Sequence, residues 1–256
     1  MFKANLHCHT GDDPLDLIKY SFYDAIDRAA VLGFEVLAIT CHDRFIDFPE
    51  YIAYAQKRGI LLIPGTEKTI EKRHVVILNA DKKVESVNTF TQLQNYKKLN
   101  PDVFLIAPHP YFYGGTSLKE KLEQNSGLFD AIEYSWFYSK FFNRNIPGEL
   151  FAKKHNLPFI ATSDTHILET LEQSFALIEA KAKTIPAIFE AIRQKKFRNI
   201  TSPFKIRSRV FIKFFFWELN DQLAKIFRTK KLKQSTALSK KGLASLIPEE
   251  FPSLDQ

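Results

Sequence analysis

Residues 1–14 read Met1-Phe2-Lys3-Ala4-Asn5-Leu6-His7-Cys8-His9-Thr10-Gly11-Asp12-Asp13-Pro14, and the fold turns on this stretch. Residues 2–6 form a short apolar run that ends on His7-Cys8-His9. Side chains alternate along a strand, so both imidazoles point to one face and Cys8 to the other. A His-x-His pair leaving a strand suits a metal ion, and taken alone it suits two polar residues at a strand exit equally well. The pattern recurs. Six of the seven histidines stand at or just beyond the ends of short hydrophobic runs, in His7-Cys8-His9, His42-Asp43, Glu67 with His74, His109-Pro110 and Asp164-Thr165-His166. Only His155 sits apart, in a polar stretch. Imidazole and carboxylate together are the ligand set of zinc, manganese and iron, so the pattern predicts several metals in one pocket.

The apolar runs are residues 2–6, 36–40, 60–64, 75–78, 103–107, 131–134 and 159–162. Each is four to six residues long, nearly continuously apolar and rich in Val, Ile, Leu and Phe, as buried parallel strands are. Helical spacing fills several gaps, over residues 16–32 (stopped by Gly33), 51–58 (stopped by Gly59), 148–155 and 185–195. Seven strands alternating with helices predict an α/β fold with a parallel sheet. A closed barrel gathers strand-end side chains around one axis more readily than an open sheet does, so a TIM-like barrel is expected. No Gly-x-Gly-x-x-Gly and no Walker loop is present, which removes support for a nucleotide cofactor.

Hydrophobic content of 45% and charged content of 25% are ordinary for a globular protein. No apolar run approaches the roughly 18 residues of a membrane span. The first residues lead straight into a motif, so no signal peptide is expected, and two cysteines are too few for a disulfide framework. The expected location is cytoplasmic. Of the net charge of +7, +6 falls in residues 203–256. The expected organisation is therefore a nearly neutral barrel over 1–202 and a basic extension over 203–256.

Each position also has an ordinary reading. Asp12 and Asp13 either turn back onto the pocket or cap a helix starting near Pro14. Arg44 either faces the pocket, where it would meet an anionic substrate, or is solvated. His74 alone suits a structural hydrogen bond as well as a ligand. His109, between Pro108 and Pro110, is held on a stiff backbone. The aromatic stretch 134–139 packs under the rim or stacks on a base or sugar.

The set resembles the polymerase and histidinol phosphatase (PHP) family. The resemblance covers residues 1 to about 202 and is carried, in order, by His7-x-His9, Thr40-x-His42-Asp43, Gly65-Thr66-Glu67, His74-Val75-Val76, Pro108-His109-Pro110 and Ser163-Asp164-Thr165-His166. It implies a distorted (β/α)7 barrel and a trinuclear centre of divalent manganese, zinc or iron that hydrolyses phosphoesters. By the resemblance, His7, His9, Glu67 and Asp164 hold the first metal, and Glu67 bridges to a second held by His74 and His109. His42 and His166 hold the third with an acidic residue of the 10–14 loop, taken as Asp13 with Asp12 as its rival. Cys41 departs from the family, which commonly has Asp before this histidine. Two or three cations lower the pKa of a bridging water and neutralise phosphoryl oxygens. Glu67 and His42 are the expected catalytic residues, with Arg44 or Arg144 clamping the phosphate.

A barrel amidohydrolase, which also opens with His-x-His, is the first competing reading. It usually needs a metal-bridging Lys, where this chain has Glu67. A non-catalytic metal-bound interaction module is the second. The expected partner is a phosphorylated small molecule, a nucleotide or an oligonucleotide. Residues 206–228 have helical apolar spacing and basic flanks, which suits a helix packed on the barrel, an interfacial helix on an anionic membrane, or a contact with nucleic-acid backbone. Flexible chain is expected from 233 onward.

Overall fold

All seven apolar runs form strands in the computed structural model, which describes residues 1–139, 141–203 and positions 212, 213, 215–217, 219, 220, 222 and 223. They are β1 (Phe2–Asn5), β2 (Val36–Ile39), β3 (Leu61–Ile70), β4 (Arg73–Leu78), β5 (Phe104–Ala107), β6 (Ala131–Ser135) and β7 (Phe159–Thr162). Two further strands were not foreseen, β8 (Ser174–Ile178) and β9 (Phe197–Thr201). The helices are α1 (Phe22–Val31), α2 (Pro49–Lys57), α3 (Phe90–Leu99), α4 (Glu120–Gln124), α5 (Asn145–Lys154) and α6 (Ile185–Arg193). The strands make one sheet in the order β7-β6-β5-β4-β3-β2-β1-β8-β9. It curls until β7 and β1 meet beyond their carboxyl ends, where Cys8 bridges Thr165 in parallel and the His9 amide donates to the Thr165 carbonyl at 3.1 Å. The result is a nearly closed, barrel-like sheet.

The sequence predicts a parallel sheet, but the sheet is mixed. β4 runs antiparallel to both β3 and β5, and β8 and β9 are antiparallel too. A two-residue turn joins β3 to β4, with Glu71 and Lys72 at φ of 47° and 68°. Such left-handed turns match the twist of paired strands and make a hairpin rather than a crossover. His74 therefore stands near the start of its strand and reaches the same rim from the opposite direction. β9 escaped notice because Arg198 and Asn199 interrupt its apolar character.

Inward side chains such as Ala4, Val36, Ile63, Val76, Ile106 and Ile160 fill the sheet, joined by Ile188, Phe189 and Ile192 of α6. On the outer face, α1 and α2 cover Leu37, Ile39 and Leu62, while α3, α4 and α5 cover Ile77, Leu105 and Ile132. Each fully buried Leu, Ile or Phe contributes about 1.5–3 kcal/mol, so this double packing holds the strand ends that carry the polar residues. Gly65 marks where the layers are tightest. A Cβ there would lie 3.0 Å from the Ile77 carbonyl and 3.0 Å from Leu78 Cδ2. Gly65→Ala is expected to cost about 1–3 kcal/mol by overpacking. An unchanged midpoint in denaturant titration would show that the sheet yields there.

α1 begins at Phe22, not at residue 16. Ser21 caps it, accepting from the Asp24 amide while Asp24 accepts from the Ser21 amide. This reciprocal box is a stronger start signal than Asp13 before Pro14. Residues 14–20 are consequently loop, which matters for Asp16 below. The chain divides into two compact units, Met1–Phe214 and Phe215–Gln256. Of the helix expected over 206–228, the described positions between 212 and 223 are helical. The rest of it, and the chain from 224 onward, lie outside the described residues. Among the described residues no helix is long and apolar enough to cross a membrane.

Candidate metal centre

Glu67 lies at the middle of the cluster because β3 runs six residues past the end of its apolar stretch and its odd-numbered residues face inward. Local pairing fixes it there. The Glu67 amide donates to the Thr40 carbonyl at 3.1 Å, and its carbonyl accepts from the Asp43 amide at 2.9 Å. One oxygen, Oε1, lies 3.0 Å from His74 Nδ1 and 3.2 Å from His109 Nε2. The other, Oε2, lies 3.3 Å from His7 Nε2, 3.3 Å from His9 Nε2 and 3.0 Å from His42 Nε2. A single carboxylate thus faces five imidazoles, divided between its two oxygens.

Asp164 completes the inner group. Its Oδ1 lies 3.3 Å from His7 Nε2 and 3.2 Å from His9 Nε2. As expected from alternation, His7 and His9 share a side, with their Nε2 atoms 3.2 Å apart, while Cys8 packs outward with Phe22 and Ile26. Among the described residues, potential ligand atoms within 4.8 Å of one another form three groups: His7, His9, Glu67 and Asp164; His42, Glu67 and His74; and His9, His42 and His166. His109 joins through Glu67 Oε1. Asp43, His109 and Asp164 all hold positive φ, at 51°, 29° and 44°. Such backbone is costly for residues with a Cβ and is retained where surrounding structure enforces it.

The charges fit the geometry. Burial opposes ionisation of Glu67, yet His74, His7 and His42 hold it well below the usual carboxylate range. Burial and the neighbouring His42 oppose protonation of His9, yet Asp13 at its Nδ1 and the Asp164 and Glu67 carboxylates beside its Nε2 raise it to about 10. Burial likewise resists a charge on His7, and Asp164, Glu67 and Glu133 overcome it, raising it well above 6.5. Without cations, protons hold these carboxylates and imidazoles together. Burial pushes the Cys8 and Cys41 thiols up to about 12, so both are neutral packing groups near pH 7.

A divalent cation suits this donor set, which is rich in imidazole nitrogens and carboxylate oxygens on one buried focus. Asp164 Oδ1 makes the point on its own: it is buried and accepts no hydrogen bond, although two ring nitrogens stand within 3.3 Å. A cation between them would satisfy all three atoms.

Asp13 sits one step further back than expected. Its Oδ2 lies 2.9 Å from His9 Nδ1 and 2.9 Å from His42 Nδ1, and accepts from the His42 amide at 2.8 Å. Its Oδ1 accepts from the amides of Leu15 and Asp16, both at 2.9 Å. Asp13 thus caps a turn with one oxygen and orients two imidazoles with the other. Asp12 accepts from Tyr51 Oη and Thr10 Oγ1. Asp16, not picked out from the sequence, places Oδ2 2.8 Å from His166 Nε2 and 3.7 Å from His42 Nδ1. Treating 16–32 as one helix hid it.

Glu133 was also missed. It is a buried acid inside β6, accepting from Thr162 Oγ1 at 2.7 Å and the His109 amide at 2.9 Å, and its Oε2 lies 3.4 Å from His7 Nδ1. A carboxylate behind an imidazole turns its other nitrogen toward a metal. The signal was legible: Glu133 is the one charged residue in Ala131-Ile-Glu-Tyr-Ser135. Glu133→Gln is expected to weaken metal binding 10–100-fold while the fold survives. Metal titration followed by mass spectrometry measures this, and wild-type affinity would remove the orienting role.

The two arginines stand at the periphery. Arg44 Nη1 donates to the Asp12 carbonyl at 2.9 Å, and the Arg144 guanidinium lies 4.0 Å from the centre of the Tyr113 ring. Lys68, buried beside Glu67, gives its Nζ to Asp43 at 2.8 Å, so the lysine nearest in sequence to the bridging position is directed elsewhere.

A barrel-like α/β sheet thus gathers a buried histidine–carboxylate cluster with the donor set of a metal centre at one rim. The PHP domain family model matches residues 5–222, and the chain belongs to that family. The fold is similar to a two-domain protein of Bacteroides vulgatus described as containing a predicted PHP-like metal-dependent phosphoesterase, at 19% identity and a TM-score of 0.60, covering 78% of this chain and 64% of that one. It is similar to PsfC of Pseudomonas syringae, at 14% identity and TM-score 0.59, covering 88% and 100%. It is also similar to the lesion-specific endonuclease EndoQ of Pyrococcus furiosus, at 15% identity and TM-score 0.55, covering 75% and 56%. The chain thus spans less than two thirds of the first and third of these proteins. No curated protein sequence matches it.

Proposed function

We propose that the protein is a metal-dependent phosphoesterase acting at a multinuclear centre. The observation that carries this reading is Glu67, whose two oxygens face separate imidazole groups, as a carboxylate bridging two cations would. His7, His9, Glu67 and Asp164 would hold one cation, and Glu67, His74 and His109 a second. Asp16 replaces Asp13 as the acid that joins His42 and His166 at a third, because Asp13 already spends both oxygens on other partners. Bound divalent cations would supply a water of lowered pKa and neutralise phosphoryl oxygens.

The chain's own residues prepare that site. Asp13 and Glu133 back His9, His42 and His7 at Nδ1, leaving each Nε2 directed into the cluster. His42 has a partner at each ring nitrogen, which favours a ligand role over proton donation to a leaving group. The membership of the PHP family and the phosphoesterase and endonuclease descriptions of its structural neighbours support phosphoester chemistry over amide hydrolysis, as does the engagement of Lys68 with Asp43.

Metal analysis of the purified protein, with hydrolysis of a phosphomonoester and a phosphodiester panel, tests the proposal. Asp16→Asn is expected to lower metal content by about one equivalent, and Asp13→Asn to loosen binding without removing a site. Equal stoichiometry in wild type and Asp16→Asn would refute the third assignment.

A further inference from the structure

Two loops leave the carboxyl ends of β5 and β6 on the cluster's rim. The first is anchored at the site itself. Ser117 Oγ donates to the His109 carbonyl at 3.0 Å, and the His74 amide donates to the Thr116 carbonyl at 2.8 Å. Its tip, Tyr113-Gly114-Gly115, stands clear, with Tyr113 70% exposed. The second loop is pinned at its base, where buried Asn145 accepts from the Ser135 amide and donates to the Ser135 carbonyl, both at 3.0 Å. The tips meet. The Tyr113 and Phe142 rings are 5.8 Å apart at 20°, and the Arg144 guanidinium lies 4.0 Å from the first ring centre and 5.8 Å from the second. Phe141 beside them is 99% exposed.

A tyrosine ring flanked by a guanidinium and a second ring, and still 70% exposed, is poor core packing and a good flat surface. Aromatic faces with Arg bind nucleobases, whose π faces stack without regard to sequence. Tyr113 is four residues from His109, so at most about 14 Å of chain separates them. A ligand with a flat ring and a phosphate on one short scaffold could span both.

We infer that Tyr113, Arg144 and Phe142 form a base-stacking subsite, and that the substrate class is a nucleotide or an oligonucleotide end. The inference rests on the phosphoesterase reading for what happens to the phosphate, and on the loop geometry alone for the base. Arg144 then acts on the base and not as the phosphate clamp expected from the sequence.

Calorimetry on the manganese-loaded full chain tests it, comparing adenosine 5′-monophosphate with ribose 5-phosphate, which carries the same phosphate and no base. The nucleotide is expected to bind at least about tenfold more tightly. Tyr113→Ala should abolish the difference, Tyr113→Phe should keep it, and metal content should stay the same in both. Equal affinities in the wild type, or an equal loss for both ligands in Tyr113→Ala, would overturn the subsite. Hydrolysis of the two compounds is followed separately. Base discrimination without turnover would support the subsite and count against the phosphoesterase reading instead.

Discussion

Glu67→Gln is expected to abolish most phosphoester hydrolysis and to lower metal content together. The substitution keeps the shape and removes one charge. Gln offers one carbonyl oxygen where the carboxylate offers two, so it could serve the His74 and His109 side or the His7, His9 and His42 side, not both. Groups that merely orient ligands typically account for 10–100-fold, so loss of the shared ligand should exceed about 100-fold in kcat/KM. Five imidazoles would also lose the anion that compensates them. In the metal-free protein they would then shed protons more readily, since burial disfavours their charged forms. Hydrolysis assays beside metal analysis measure both effects. Wild-type turnover with full metal content in Glu67→Gln would end the bridging role.

Metal binding should tighten as pH rises and should release protons. The His9 imidazole, raised to about 10, is protonated at neutral pH in the metal-free chain, and a cation must displace that proton. The sign follows for stability as well. A group raised from 6.5 to about 10 on folding contributes fully below 6.5, and that contribution is lost as pH climbs toward 10. His7 adds in the same direction. Glu67 and Asp164 are depressed, so their contribution is present above the ordinary carboxylate range and is lost only in acid. Between about pH 6.5 and 10 the metal-free protein should therefore weaken while the loaded protein holds. The gap between their melting temperatures should widen across that window. Calorimetry in two buffers of different ionisation heat counts the protons released. A binding heat independent of buffer would show that the histidines are already neutral and that the carboxylates, not protons, organise the empty cluster.

Much of the site was legible because its residues obey strand arithmetic. His7 and His9 are two apart, so they share a face. His42, Glu67, His109 and Asp164 each follow or extend an apolar run, and a curled sheet turns such positions toward a common rim. Asp16 and Glu133 were less legible for different reasons. Asp16 lay within a stretch of helical spacing, and only the Ser21–Asp24 box shows that the helix starts later. Glu133 stood in view, yet an acid within a strand has no stated partner until the neighbouring strand and the His7 loop are in place.

Local sequence by itself determined seven of the nine described strands and the imidazole and carboxylate make-up of the cluster, since hydrophobic period and residue type are properties of a few neighbouring residues. Only the tertiary structure decided which acid meets which imidazole, that β4 reverses, and that Arg144 lies on Tyr113. Those outcomes depend on distances between residues 30 to 160 positions apart, which chain closure sets and no short window of residues encodes.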